Sequence, residues 1–121
     1  MREGRLTDEF RARTKKFAAS IIRFYVHLPK SRDEVQVCAK QMLRSGTSVA
    51  AHAREAARAR SKAEFISKLG GALQEADETQ LWLELLWEEC STNCSLTTPL
   101  EREADELIAI FTTIIRRTGA R

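Results

Sequence analysis

Apolar residues return every three or four positions along most of the chain, in four runs divided by short polar or proline-bearing breaks. Phe10, Thr14, Phe17, Ile21, Phe24 and Leu28 draw one stripe, which predicts a helix over 7–28. Pro29 ends it, because the residue before a proline avoids the helical region. A second run, Val35, Cys38, Met42, Ser45, Val49, His52 and Ala56, predicts a helix over 32–59. Ser31-Arg32-Asp33-Glu34 reads as its capping box. This stripe is thin, and Ser45-Gly46-Thr47-Ser48 with Ala50-Ala51 invites another helix to approach closely. Gly46 costs about 1 kcal/mol against alanine inside a helix, which close packing would offset.

The third run is predicted over 62–89, opened by the box Ser61-Lys62-Ala63-Glu64. Phe65, Leu69, Ala72, Ala76, Thr79, Leu83 and Leu86 form its stripe. A second line, Ile66, Leu73, Leu81, Trp82, Leu85 and Trp87, widens the apolar surface beyond the roughly 100° that one bundle interface uses. The pair Gly70-Gly71 inside this pattern reads as a close-contact or kink point. Cys90 to Thr97 is rich in loop formers. A fourth helix is expected over 99–118, with Thr98 as cap, Pro99 in the first helical position and Glu101 closing the box. Its inner line is Leu100, Ala104, Leu107, Phe111, Ile114 and Thr118, flanked by Ile108 and Ile115, and Gly119 suits its end. Three short connections favour an antiparallel up-down-up-down four-helix bundle. At 121 residues the whole chain, 1–121, is expected to be one domain.

Composition narrows the class. With 43% hydrophobic and 31% charged residues, the chain carries a core and is not a disordered polymer. Its greasiest stretch, Leu81 to Trp87, is short and broken by Glu84, so no membrane span is expected. The segment Met1-Arg2-Glu3-Gly4-Arg5 lacks the apolar run of a signal peptide. A cytoplasmic home follows. Three irregularly spaced cysteines make no disulfide framework, and Cys90 and Cys94 lack the further ligands zinc needs.

The net charge of +3 conceals a polarity, since residues 1–32 carry +6, 33–63 carry +3, 64–98 carry −6 and 99–121 carry none. Such asymmetry points to an anionic partner. It points equally to attraction of helices 1 and 2 for helix 3, within one subunit or between neighbours. Arg11, Lys15 and Arg23 recur along helix 1 at steps of four and eight, with Arg13 and Lys16 beside them. Arg54, Arg58, Arg60 and Lys62 gather at the junction of helices 2 and 3. Positive charge at these spacings suffices for phosphate contact.

The chemistry of an enzyme is harder to find. Glu75, Asp77 and Glu78 lie close together on helix 3, but the chain has no Glu-x-x-His, and His52 with Glu55 gives only the reversed order. His52 reads as a core or interface histidine with a satisfied hydrogen bond rather than a base. Ser45, Thr47 and Ser48 lack the partners of a triad, and there is no phosphate-binding glycine loop.

From Arg44 onward one set of motifs resembles a known family. Arg44-Ser45-Gly46-Thr47-Ser48-Val49 is followed by Glu55-Ala56, then by Ser61-Lys62-Ala63-Glu64-Phe65-Ile66-Ser67-Lys68-Leu69. Glu75-Ala76, Glu78-Thr79 and Trp82-Leu83-Glu84-Leu85-Leu86 come next. Phe24 to Pro29 and Glu106 to Ile115 also fit. The chain resembles the four-helix bundle proteins named for the intervening sequences of 23S ribosomal RNA genes. The resemblance implies a left-handed bundle and a homopentamer. It also implies kinship with the accessory protein of diversity-generating retroelements, a basic pentameric barrel that works with a reverse transcriptase and nucleic acid. It implies no catalytic residue. The chain departs from the pattern at His52-Ala53, where relatives often have Asn-Tyr, at Ala56, where many have a smaller residue, and at Gln80-Leu81, where Arg-Tyr is common.

The expected function is that of a non-enzymatic homo-oligomeric scaffold without a cofactor. RNA, DNA or a nucleic-acid-processing partner would use the basic faces of helices 1 and 2, through Arg11, Lys15, Arg23, Arg54, Arg58, Arg60 and Lys62. Trp82, Leu85 and Trp87 are the candidate oligomer contacts. The alternative is a protein-interaction module that binds no nucleic acid, with a metal-dependent enzyme behind both.

Overall fold

Four helices and no strand make up residues 6–120, the part described by the computed structural model. They are α1 (Asp8–His27), α2 (Asp33–Ala57), α3 (Lys62–Glu88) and α4 (Cys94–Gly119). The charged segment 1–5, expected not to be a signal peptide, lies outside the described residues, as does residue 121. No described helix is long and apolar enough to cross a membrane.

Local chemistry sets most of the helix ends. The Thr7 side chain accepts from the Phe10 N–H and opens α1, and Ser61 does the same for Glu64 in α3. The α1–α2 turn is held by Lys30, whose ammonium donates to the carbonyls of Tyr25 and Leu28 and lies 4.5 Å from the Tyr25 ring centre. Two expected caps are corrected. Arg32, not Ser31, caps α2, and it makes no side-chain cap bond. Its guanidinium instead reaches the Cys90 carbonyl and Glu34. Helix α4 begins at Cys94, five residues before the expected start. Asn93 caps it by accepting from the Ser95 N–H, so Pro99 lies inside the helix. The hydroxyls of Thr97 and Thr98 both donate to the Cys94 carbonyl, and Thr97 is fully buried, which holds the extra turn in place.

The stripes face one core. Phe17 and Ile21 of α1, Met42 and Val49 of α2, Leu69, Leu83 and Leu86 of α3, and Leu107 and Phe111 of α4 are all buried in it. All seven positions of the α3 stripe are buried. Each helix packs on its neighbours in sequence, most extensively α2 on α3, while α1 and α4 meet along a thinner seam. α1 and α3 lie diagonally across the core, as do α2 and α4, with no close approach of their backbones.

The close approach expected at Gly46 is present, since a Cβ there would come within 2.9 Å of Ile21. Gly71 leaves room for the His52 ring, which a Cβ would meet at 3.2 Å, whereas Gly70 has nothing within 4 Å. Inside the core, the Thr79 hydroxyl lies 2.8 Å from Ser45 Oγ and 2.7 Å from the Glu75 carbonyl, so these two buried hydroxyls are partnered.

Candidate functional site

The most basic concavity lies between α1 and α2. Arg11, Ala12 and Lys15 line it from α1 and Ala50, Ala51 and Arg54 from α2, with buried Thr14 beneath, around an open volume of about 530 Å3. Arg11 and Lys15 are four apart, which puts them on one face of α1. The small alanines let the cleft open between the helices. Lys15 and Arg54 are exposed. Arg11 is paired with Asp8, and its Nε is shielded without a hydrogen-bond acceptor in the protein. Three of the seven expected basic residues therefore converge.

The other four do not join them. Arg23 stands twelve residues beyond Arg11, which is about 18 Å along the helix and a third of a turn round it. Its guanidinium donates to Ser20. Arg58, Arg60 and Lys62 are exposed near the α2–α3 turn. Arg60 pairs with Glu64 at 3.6 Å, and its own N–H donates to that carboxylate, which is thereby held below the usual carboxylate range.

Arg13, beside this set in the sequence, does a different job. It faces α4 and grips Glu103 with two hydrogen bonds of 2.7 and 2.8 Å, and Glu106 with a third of 2.8 Å. Those two carboxylates raise its pKa further above its ordinary value. The clamp flanks an open cleft of about 610 Å3 between α1 and α4, lined by Glu9 and Glu103 as well as by Arg13 and Lys16. That mixed lining is no anion site.

A charged network covers the α2–α3 surface. His52 Nδ1 lies 3.1 Å from Glu55, and Nε2 lies 3.9 Å from Glu75. Lys68 also reaches Glu55, at 3.3 Å, and its hydrogen bond, followed by that of His52, holds the Glu55 carboxyl below the usual range. Arg44 approaches Glu75 and Glu78 at 4.0 and 3.6 Å. His52 is thus a half-buried, partnered seam residue. Among the described residues no group of three or more histidine, cysteine or acidic side chains could hold a metal ion. The three cysteines are free thiols, and burial first, then the neighbouring Cys38 thiol, pushes Cys90 up.

The outer side of α3 has the opposite character. From Leu69 to Glu101 there is no lysine or arginine. Asp77, Leu81, Glu84 and Glu88 are spaced four, three and four, so they share one line. Glu84 is pushed above the usual carboxylate range, by burial first and then by Glu101, Glu88, Asp77 and Asp105. Gln80 bridges to Asp105 and to the Glu101 carbonyl on α4. Of the candidate oligomer contacts, Trp82 and Leu85 are half-buried and Trp87 is 39% exposed. Trp82 packs on the core, with its indole N–H shielded and unpartnered. Leu81, only one member of a wider apolar line in the sequence, is 47% exposed.

Residues 9–113 match the family described as the 23S rRNA-intervening sequence protein. A crystal structure of a protein of unknown function from the S23 ribosomal protein family of Bacteroides thetaiotaomicron is similar throughout. Its sequence is 37% identical, the match covers 88% of this chain and 94% of that one, and the TM-score is 0.79. Among curated proteins no sequence matches the chain.

Proposed function

Because the chain belongs to the 23S rRNA-intervening sequence protein family, we propose that it is a non-enzymatic, cytoplasmic, homo-oligomeric scaffold whose α1–α2 groove takes the phosphate backbone of RNA or DNA. The carrying observation is the convergence of Arg11, Lys15 and Arg54 on one open cleft lined otherwise by Ala12, Thr14, Ala50 and Ala51. Arg11 and Lys15 alone could be a solvated helix face. Adding a cation from a second helix makes a cradle at the scale of a phosphate. On the proposed reading Arg58, Arg60, Lys62 and Arg23 extend the positive field around the groove rather than line it.

The proposed architecture is a left-handed up-down-up-down bundle, assembled as a homopentamer. What supports the antiparallel order is the approach of Arg11 and Lys15 to Arg54, Ser45 to Thr79, Arg32 to Cys90, and Phe10 to Phe111. The handedness and the number five come from the family resemblance. Trp82, Leu85 and Trp87, in the C-terminal half of α3, are the proposed assembly residues.

The test is fluorescence anisotropy with labelled single-stranded RNA and duplex DNA across a salt series. Binding should weaken steeply with salt. Replacing Arg11, Lys15 and Arg54 together with glutamine should lower affinity and flatten the logarithmic salt slope by about 0.9 per lost contact on duplex DNA. No binding of either probe at low salt by the unmutated protein would remove the nucleic-acid reading and leave the protein-interaction module.

A further inference from the structure

Two exposed apolar sites with opposite electrical surroundings stand on helices that lie diagonally across the core from each other. On α1, Ile22 is 45% exposed and Val26 is 66% exposed. From Phe10 to the end of α1 there is no carboxylate, and Arg23 sits between the two. The approaches of Arg11 and Lys15 to Arg54, and of Ile21 to Gly46, set the register of α2 on α1. That register brings exposed Lys40 level with the last turn of α1. On α3, Leu81 stands in line with Asp77, Glu84 and Glu88, with no cation along that stretch. α1 and α3 lie across the core from each other, so one copy cannot bring its own two sites together.

We propose that the Asp77–Leu81–Glu84–Glu88 face of α3 docks on the Ile22–Val26 edge of α1 in a second copy of this chain. This rests on the homo-oligomeric reading above and names the surfaces that carry it. An apolar centre inside a polar rim is the anatomy of a protein interface. Arg23 and Lys40 supply the positive rim of one side, and Asp77, Glu84 and Glu88 supply the negative rim of the other. Burial and crowded carboxylates already disfavour the Glu84 charge, and a cationic face laid over it relieves that repulsion. The two sites differ, so the contact is head-to-tail, and such contacts close into rings or run on as filaments. The Ile22–Val26 edge continues the α1 face that carries Arg11 and Lys15, beginning about 10 Å beyond Lys15 along the helix, so the docking edge and the groove are neighbours on one side of α1.

The test exploits this asymmetry. Ile22→Asp places an anion where the acidic face must land, and Leu81→Lys places a cation against the basic edge. Both positions are exposed, so helicity by circular dichroism should stay at the unmutated value, while the melting temperature should fall only by the share that assembly contributes. Val26→Asp serves as a second variant of the same edge. By light scattering, each variant alone should fall from the multimer to the single-chain mass of 13.7 kDa. An equimolar mixture of Ile22→Asp and Leu81→Lys chains should form a one-to-one pair and nothing larger, because each retains the site the other has lost. If either α1 variant or Leu81→Lys keeps the unmutated multimeric mass, or the mixture stays monomeric, the docking is wrong while homo-oligomerisation stands. A monomeric unmutated protein overturns both.

Discussion

The seams on α2 and the seam between α1 and α4 solve the same problem by different physics. Along α2, small residues let the helices close in. Gly46 admits Ile21, Gly71 admits His52, and fully buried Ala53, Ala72 and Ala76 keep the distance short. Between α1 and α4 an open cleft remains, spanned by Arg13 on Glu103 and Glu106 and by the edge-to-face contact of Phe10 with Phe111, 5.3 Å between centroids. The first kind of seam depends mainly on shape, with the partly exposed pairs of Arg44 and Lys68 on its surface adding only a small salt-sensitive share. The second depends partly on charge, which salt screens over about 10 Å at 0.1 M. A bundle built this way has a rigid side and a side that loosens first.

The largest expected effect lies on the rigid side. Gly46→Ala gains about 1 kcal/mol of helix propensity but drives a methyl into buried Ile21, at an overpacking cost of about 1–3 kcal/mol. A net loss of up to about 2 kcal/mol is expected in urea unfolding. Gly70→Ala, with open space around it, should stabilise by up to about 1 kcal/mol in the same assay. Equal signs for the two substitutions would mean that packing does not distinguish these positions.

Next comes the charged side. Arg13→Met should cost on the order of 1 kcal/mol, because it leaves a half-buried Glu103 without its fork. Hydrogen exchange should show the α1 amides opening before those of α2 and α3, and added salt should reproduce part of this in the unmutated protein. Uniform loss of protection across all four helices would erase the distinction between the seams. The smallest effect is at Ser91, which belongs to neither. Its φ of 62° lies in the left-handed region. Ser91→Gly should therefore raise stability by about 0.5–1 kcal/mol, seen as a higher melting temperature with an unchanged exchange pattern.

Much of the fold was legible because helical periodicity is a local signal. The α3 stripe from Phe65 to Leu86 was read in full, and the small-residue stretch at Gly46 announced a close neighbour. The start of α4 was misread because Thr98-Pro99-Leu100-Glu101 has good cap chemistry. What overrides it is tertiary: Thr97 is buried, and Asn93 caps one turn earlier. The candidate groove was half legible. Arg11 and Lys15 share a face by spacing alone, but Arg54 joins them only through the packing of α2. Arg23 looked regular at a step of eight, yet eight residues turn a helix about 80° past its starting face. Arg13 resembled its basic neighbours and is instead spoken for by carboxylates ninety residues away, which no local pattern could announce. Leu81 was one letter in a wide apolar line, and its isolation among acids emerged only once its neighbours were buried.

His52 and Gly71 carry a consequence for how this sequence can change over generations. The imidazole occupies the volume that any side chain at position 71 would need, and its bond to Glu55 resists displacement. The two sites are therefore epistatic, and the order of substitution matters. A lineage that first trades His52 for a smaller residue relieves the crowding at position 71. A lineage that mutates Gly71 first, even to alanine, must shift the imidazole by a few tenths of an ångström against its bond to Glu55. The histidine that looked like a candidate for chemistry acts here as a ratchet on the sequence, keeping a glycine in the middle of the longest helix.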